Sequence, residues 1–265
     1  MNGIIDTHCH LQSARLAVDL EELVCRARKS GVETNVICAG SAADWDRCID
    51  IAHRFDCVYM LGIHPLATPE MKDGDLALLD ARVKTALQDP RFIGIGEIGI
   101  DGLVPLDNEK QEHAFVEQLK IARRYQLPVS VHVRKSASRL IKYFRRVPPV
   151  SGVVHAFNGS EQERDIFLKM GLKLGFGGAA TYDGSRRIRR HLAEISSDAW
   201  VLETDAPDMP SSKRRDSGSV RTEPADILET ARTAAELRGE TLETVISSTH
   251  QNAIAAFPRL QEKRN

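Results

Sequence analysis

The stretch "IDTHCH" near the start of the chain places three polar side chains, Asp6, His8 and His10, at every second position. In an extended strand successive side chains point to opposite faces, so these three share one face while Thr7 and Cys9 take the other. Two imidazoles at that spacing can hold one metal ion. A His-x-His pair also occurs on ordinary surface strands, so it predicts a metal site only if partners exist elsewhere in the chain.

Five further polar residues each follow a short apolar run. Glu97 ends "FIGIGE", His132 ends "LPVSVH" and His155 ends "SGVVH". Asp205 follows "WVLET", and His64 follows "VYMLGI". Singly, each has an ordinary explanation as a helix cap or a hydrogen-bonded structural histidine. Together they indicate an active site, because side chains from separate parallel strands assemble at the carboxyl ends of those strands.

Histidine nitrogens and carboxylate oxygens are ligands of zinc and manganese, and a carboxylate can bridge two ions. The predicted centre holds two divalent ions (Zn, Mn or Mg), with Glu97 between them. The remaining ligands are His8, His10 and Asp205 for the first ion and His132 and His155 for the second. Asp6 is expected to point inward one layer deeper, where it either orients a ligand histidine or packs at the strand end.

The elements that would position these residues alternate between β-like runs and segments with a helical spacing of apolar residues. Strands are predicted at 3–6, 34–39, 58–62, 92–97, 129–132, 152–155, 172–176 and 200–203. Helices are predicted at 19–29, 43–54, 75–88, 109–125, 136–145, 160–170, 186–195, 224–238 and 242–256. This alternation predicts an α/β fold, a single-domain (β/α)8 TIM barrel over residues 1–265. An open, doubly wound sheet is the alternative, and residues 205–224 are predicted to form a long loop.

Composition narrows the class of protein. The chain has 265 residues, 42% of them hydrophobic, with 36 Lys and Arg against 37 Asp and Glu, so no overall field draws it to nucleic acid or anionic membrane. No apolar run reaches the roughly 20 residues of a membrane helix, and no signal pattern is present, which predicts a cytoplasmic protein. No obligate protein partner is evident. All five cysteines lie within the first 57 residues without a C-x-x-C, which predicts buried thiols rather than disulfides or a thiolate zinc site.

Together with "GIHP", "GEIGID", "VHVR", "VHAFNGS" and "LETDAPDMP", the opening motif makes the chain resemble the TatD family of metal-dependent deoxyribonucleases, in particular its YjjV-like branch. The resemblance extends from Ile5 to Phe257. It implies a TIM-type barrel that hydrolyses phosphodiester bonds of single-stranded DNA or RNA, often from the 3′ end, at a divalent metal centre. His64 and Glu203 match further active-site positions. The metal ligands that the resemblance implies are His8, His10, Glu97, His132, His155 and Asp205.

Two positions depart from the usual pattern of that family. Arg134-Lys135-Ser136 stands where the family usually has Arg-Asp-Ala, a change of the kind seen in YjjV-like members. Thr222 stands where an Asn is usual. The loss of that amide affects any substrate contact made there.

Hydrolysis needs a nucleophile, charge neutralisation and a protonated leaving group. We expect Asp205 to act as the general base. We expect His64, outside the predicted metal shell, to bind the phosphate or protonate the leaving oxygen, and its alternative role is to cap or pack before Pro65. Glu203 shares the inward direction of Asp205 and either orients a ligand or participates directly.

Basic residues near the predicted strand ends are candidates for binding phosphates. Arg134 lies two residues past His132, and the long loop carries Lys213, Arg214, Arg215 and Arg221. A solvated, mobile charged loop is the alternative interpretation. Candidates for stacking on a base, each with an alternative role in the core, are Phe157, Phe176 and Tyr182.

Two other functions fit the same fold, because fold does not determine reaction. One is an amidohydrolase or esterase that uses the dinuclear site on a small molecule or acyl ester. Many such relatives bridge their ions with a modified lysine on the fourth strand, and Glu97 at that place favours the phosphodiesterase. The other is a non-enzymatic binding module, which is disfavoured because every expected ligand position is filled.

Overall fold

Eight strands surround the axis of the molecule. In the computed structural model, which describes residues 2–262, they are β1 (Ile4–Cys9), β2 (Val32–Cys38), β3 (Val58–Leu61), β4 (Phe92–Asp101), β5 (Val129–Arg134), β6 (Gly152–Val154), β7 (Leu172–Phe176) and β8 (Trp200–Leu202). Each strand pairs in parallel with the next in chain order.

The segment after β8 joins the two ends of this sheet. The Asp205 N–H donates to the His8 carbonyl over 2.9 Å, and the His10 N–H donates to the Ala206 carbonyl over 2.7 Å. The predicted eight-stranded barrel is therefore confirmed, and the alternative of an open sheet is wrong. The same two bonds bring Asp205 beside the histidines of β1.

Helices cover the outside of the barrel. They are α1 (Leu20–Lys29), α2 (Trp45–Arg54), α3 (Asp75–Ala86), α4 (Asn108–Arg124), α5 (Ala137–Arg146), α6 (Glu161–Lys169), α7 (Arg186–Glu194), α8 (Ser212–Asp216), α9 (Ile227–Arg238) and α10 (Leu242–Ala256). Nine of these match predicted helices to within a few residues. Their buried apolar residues pack on the outer faces of the strands, as the helical spacing predicts.

Two elements differ from the sequence-based prediction. The loop predicted at 205–224 contains helix α8, because the Ser211 hydroxyl accepts the Arg214 N–H over 3.2 Å and the Glu229 carboxylate on α9 accepts the hydroxyl of Ser211 over 2.6 Å. Strand β4 runs to Asp101 instead of stopping at residue 97, because β5 pairs with it along this extension, with Asp101 opposite Arg134. Both additions are stabilised by partners remote in sequence.

The interior of the barrel is apolar near the starts of the strands. A compact cluster there contains Ile5, Val36, Met60, Ile93, Val153 and Val201, with Ala253, Phe257 and Leu260 from the end of α10 and beyond. The carboxyl-terminal segment thus closes this end of the barrel. The opposite end, at the carboxyl ends of the strands, is left to carry polar groups.

The cysteines follow the prediction with one exception. Cys9, Cys38, Cys48 and Cys57 are buried free thiols, whereas Cys25 is exposed on α1, so the prediction of a buried thiol is wrong there. Within residues 2–262, no helix is both long and apolar enough to cross a membrane.

Candidate metal centre

The carboxyl ends of the strands open into a cleft of about 1510 Å³. Five predicted ligands line this cleft: Glu97 on β4, His132 on β5, and His10, His155 and Asp205 in the segments after β1, β6 and β8. His8 is fully buried beside them, with its ring stacked on that of His155 at a centroid distance of 3.9 Å. The structure therefore brings together all six predicted ligands.

Four atoms that could bind a metal ion converge on the β1 side of the centre. The Nε2 atoms of His8 and His10 lie 3.3 Å apart, and the Glu97 Oε2 atom lies 3.1 Å from the first and 3.3 Å from the second. Asp205 Oδ1 lies 3.7 Å from His8 Nε2 and 3.3 Å from His10 Nε2. Ligands about 2.0–2.1 Å from a tetrahedral zinc ion are separated by about 3.3 Å, so these spacings fit such an ion.

The other oxygen of Glu97 faces a second set of nitrogens. Its Oε1 atom lies 3.0 Å from His132 Nδ1, 3.0 Å from His155 Nε2 and 3.2 Å from His64 Nε2. The two oxygens of one buried carboxylate thus point to two separate groups of imidazoles. A carboxylate in this position could bridge two ions, and residues around both oxygens form groups that could hold a metal ion.

The hydrogen bonds of His10 identify which of its nitrogens can bind a metal. Its Nδ1 lies 2.8 Å from the Cys38 carbonyl, which can only accept, so Nδ1 carries the proton in the neutral ring. Nε2 is then a bare lone pair that faces carboxylate oxygens of Glu97 and Asp205 at 3.3 Å. Acceptors facing each other repel unless a proton or a metal ion lies among them, and this set of imidazole nitrogens and carboxylate oxygens is one that a divalent ion can use.

The free nitrogen of His132 is likewise determined by its hydrogen bond, here to Asp101, a residue to which the sequence analysis assigned no role. Its Nε2 lies 3.1 Å from Asp101 Oδ2, a buried carboxylate at the end of β4, so Nε2 donates and Nδ1 presents its lone pair toward Glu97. The hydrogen bond from His132 holds the pKa of Asp101 down at about 2, so this carboxylate is ionised at neutral pH. A carboxylate behind a ligand histidine fixes its tautomer and raises its basicity. The signal in the sequence was the final residue of "GEIGID".

His64 lies closer to the centre than its predicted place outside the metal shell. Its Nε2 is 3.2 Å from both His132 Nδ1 and Glu97 Oε1. Its Nδ1 accepts the Leu66 N–H over 3.1 Å at the start of a short 3-10 turn, so in the neutral ring Nε2 carries the proton. In their neutral forms, His64 therefore presents a hydrogen-bond donor, its Nε2–H, to the cleft, whereas His10 and His132 present nitrogen lone pairs.

Glu203 lies beside His155, on its side away from Glu97. Its Oε1 accepts the Ala156 N–H over 2.5 Å and lies 3.6 Å from His155 Nδ1. Its side chain is buried and packs tightly on Gly175, where no Cβ would fit. Of the two predicted roles, this position favours orienting His155 over direct participation.

Asp6 links β1 to the segment that follows β8 and carries Asp205. Its carboxylate accepts the N–H and hydroxyl of Thr204 over 2.9 and 2.6 Å, and the His8 N–H over 3.3 Å. It contacts the backbone of a predicted ligand, and the imidazole of His8 is instead held at Nδ1 by the Ser130 hydroxyl at 2.8 Å. Burial raises the pKa of Asp6 to about 7.

Burial and the neighbouring charged groups have opposite effects on several pKa values in the centre. Burial opposes protonation of His10 and His155, but the adjacent carboxylates outweigh it, so the pKa of each lies well above its usual value. Burial and the neighbouring His155 lower the pKa of His8. Burial alone would raise the pKa of Glu97, yet the surrounding histidines hold it well below the usual range. A metal ion must displace protons from these nitrogens, so its affinity rises with pH.

The structure separates the predicted phosphate contacts into two groups. Arg134 lines the cleft, and its guanidinium lies 3.8 Å from Asp101. Arg214 instead pairs with Asp226 at 2.6 Å, and Arg221 pairs with Asp19 at 2.6 Å, and neither is among the residues that line the cleft.

The other candidates from the long loop and the aromatic set lie at or outside the edge of the cleft. Lys213 and Arg215 are exposed on α8, away from the lining. Phe157 reaches the cleft but is buried against Phe167, Phe176 packs on Trp200, and the Tyr182 hydroxyl donates to Pro210. Thr222 is buried, and its N–H donates to the Pro207 carbonyl over 3.0 Å.

A (β/α)8 barrel whose strand ends present converging imidazoles and carboxylates defines the class of metal-dependent hydrolases. The family model described as TatD related DNase matches residues 5–258, and the chain belongs to this family. It is accordingly a metal-dependent hydrolase.

Individual relatives agree with this assignment. An uncharacterized metal-dependent hydrolase of Haemophilus influenzae is 33% identical over 95% of this chain and 98% of its own length. The uncharacterized metal-dependent hydrolase YjjV of Escherichia coli is 36% identical over 78% of this chain and 80% of its own. The crystal structure of YjjV superposes with a TM-score of 0.89, covering 96% of this chain and 98% of the other. A protein named 3'-5' ssDNA/RNA exonuclease TatD from Cronobacter turicensis is 32% identical over 77% of this chain and 78% of its own.

Proposed function

We propose that this protein is a phosphodiesterase that removes nucleotides from the 3′ end of single-stranded DNA or RNA with two divalent metal ions. The observation that carries the proposal is the position of Glu97, whose two oxygens face separate sets of imidazoles at 3.0–3.3 Å. Two adjacent ions suit a phosphoryl group, because such a pair neutralises charge on both the attacking and the leaving oxygen. The exonuclease name carried by the Cronobacter turicensis relative supports the same substrate class.

The proposed ligands are those of the sequence analysis, with roles refined by their hydrogen bonds. His8, His10 and Asp205 would hold one ion, His132 and His155 the other, and Glu97 both. When bound, the ions would make a water molecule acidic enough to attack at neutral pH.

The side chains at the edge of this centre supply proton transfer and orientation. Asp205 has one carboxylate oxygen beside His10 and faces the cleft, so it is placed to take a proton from the attacking water. His64 offers its Nε2–H to a phosphoryl or leaving oxygen. Glu203 orients His155 from beneath, and Arg134 at the cleft rim binds phosphate.

The test is cleavage of 3′-labelled and 5′-labelled single strands of DNA and RNA by metal-stripped protein resupplied with Mg, Mn or Zn. Stepwise shortening from the 3′ end, dependent on metal and abolished in Glu97→Gln, is the expected result. Glu117→Gln on the outer surface of α4 is the matched control and should cleave normally.

Other outcomes discriminate between the alternatives. Metal-dependent hydrolysis of small esters or amides without any cleavage of nucleic acid would replace the nuclease with a small-molecule hydrolase. Activity that persists in Glu97→Gln would contradict the dinuclear centre itself.

A further inference from the structure

The basic side chains of the cleft lie along one arc of its rim. Among the described residues that line the cleft, the Lys and Arg side chains are Arg134 at the end of β5, Lys135 directly after it and Arg187 in the first turn of α7. Strands β5, β6 and β7 are neighbours in the barrel, so the two ends of this arc are about 10 Å apart at the strand level. His155 follows β6, the strand between the two ends of this arc.

The side chains of Lys135 and Arg187 are exposed, and their positive charges are available to a ligand. Neither forms an ion pair with a carboxylate of the part of the chain that the structure describes, and Arg187 makes one neutral hydrogen bond, from Nε to the Asn158 amide oxygen over 3.0 Å. Arg214 and Arg221 are already neutralised by Asp226 and Asp19. A polyanion therefore gains more by contacting the arc than by contacting the loop after β8.

The turn that carries Lys135 is held rigidly against β4. The Gly102 N–H donates to the Arg134 carbonyl over 2.7 Å, and the Ser136 hydroxyl donates to the Ile100 carbonyl over 2.5 Å. Lys135 itself adopts a left-handed conformation with φ at 52°. A left-handed conformation is costly for a residue other than glycine, and the hydrogen bonds of the turn hold Lys135 in it.

The rim also carries carboxylates, and three of them are hydrogen-bonded or ion-paired within the protein. Asp44 accepts the N–H groups of Gly40 and Ser41, and Asp208 pairs with Arg15 over 2.5 Å. Within the arc itself, Glu163 accepts the N–H and hydroxyl of Ser160 as part of a capping box.

We propose that Lys135 and Arg187 bind two backbone phosphates on the 5′ side of the bond being cut, so that the single strand runs from the metal centre across the β5–β7 side of the cleft. This assignment rests on the proposed phosphodiesterase function and specifies how the strand enters the site. Because these contacts are made to phosphate and not to base edges, they predict little sequence preference.

The test compares a single-stranded oligothymidine with bis-p-nitrophenyl phosphate, a diester too small to reach both cations. Lys135→Gln and Arg187→Gln are each expected to lower kcat/KM on the strand by about 10- to 100-fold, the effect of one hydrogen bond to a charged group. Each should also reduce the slope of log kcat/KM against log salt by about 0.7. Hydrolysis of the small diester should stay within about twofold, since the contacts lie beyond it.

The matched controls show whether an effect comes from losing any positive charge or from losing it at these two positions. Arg186→Gln removes the neighbouring exposed guanidinium of α7, and Lys169→Gln removes an exposed ammonium at the end of α6, and neither residue lines the cleft. Both are expected to leave the activity and the salt slope of the wild type unchanged.

Each remaining outcome has one meaning. If the wild type cuts the strand and the two cleft variants match it, or lose activity equally on both substrates, the assignment of Lys135 and Arg187 is refuted alone. If the wild type cuts the small diester but no strand of DNA or RNA, the nucleic-acid function fails and this assignment fails with it.

Discussion

Replacing Asp101 by Asn is expected to change which nitrogen of His132 can bind a metal. The Asp101 Oδ1 atom accepts the N–H groups of Leu103 and Val104 over 2.8 and 3.4 Å, so the carbonyl oxygen of an Asn must occupy that position. Its NH2 group would then face His132 Nε2 at about the present 3.1 Å. A donor there forces Nε2 to accept, and the proton moves to Nδ1, the atom that faces Glu97.

The magnitude follows from the loss of this carboxylate behind a ligand. Mutating such a partner typically reduces metal affinity by about 10- to 100-fold, equivalent to about 1.4–2.7 kcal/mol. Only the ion on the His132 side should be affected, since His10 keeps its separate bond to the Cys38 carbonyl at 2.8 Å. One of two binding events should therefore weaken while the other is retained.

The assay is calorimetric titration of metal-stripped protein with zinc, combined with nitrogen-15 NMR of the histidine rings. Burial opposes protonation of His132, but Asp101 and Glu97 outweigh it and raise the pKa of this ring, so the spectra are recorded at a pH high enough to leave the ring neutral. The wild type should then show His132 protonated at Nε2, and Asp101→Asn should show it protonated at Nδ1. Asp80→Asn, which removes a surface carboxylate paired with Arg124 at 2.7 Å, is the control. An unchanged tautomer, or a changed tautomer with both zinc affinities intact, would refute the reasoning.

Three further predictions concern stability and reactivity. Gly175→Ala should destabilise the protein by about 1–3 kcal/mol in urea unfolding, because the added methyl overlaps the Glu203 carboxylate; an unchanged midpoint would contradict this. The hydrogen bond from Arg221 lowers the pKa of Asp19 to about 2, so its stabilisation, about 1 kcal/mol, is full above pH 4 and is lost as pH falls toward 2. Asp19→Asn should remove that part of the acid dependence, and equal acid profiles would exclude it. In the native protein one thiol, Cys25, should react rapidly with a thiol reagent, and more than one would contradict the observed burial.

The barrel and the convergence of the six candidate ligands were predictable because both depend on local patterns. Alternation along "IDTHCH" puts His8 and His10 on one face whatever surrounds the strand. Polar residues at the ends of apolar runs converge in any parallel barrel. Helix α8 escaped prediction because its stability comes from Glu229, contributed by another helix. The exposure of Cys25 escaped too, because composition does not determine which side of α1 faces solvent.

The amino-acid sequence by itself determined which residue types stand at the carboxyl ends of the strands, and hence that imidazoles and carboxylates meet there. The tertiary structure decided which nitrogen of each ring is free, because that depends on acceptors from other elements, the Cys38 carbonyl for His10 and Asp101 for His132. It also decided which cations are available to a substrate. Arg221 is as basic as Arg187 in the sequence, but only folding brings Asp19 against it, and the charge of a paired guanidinium is already compensated.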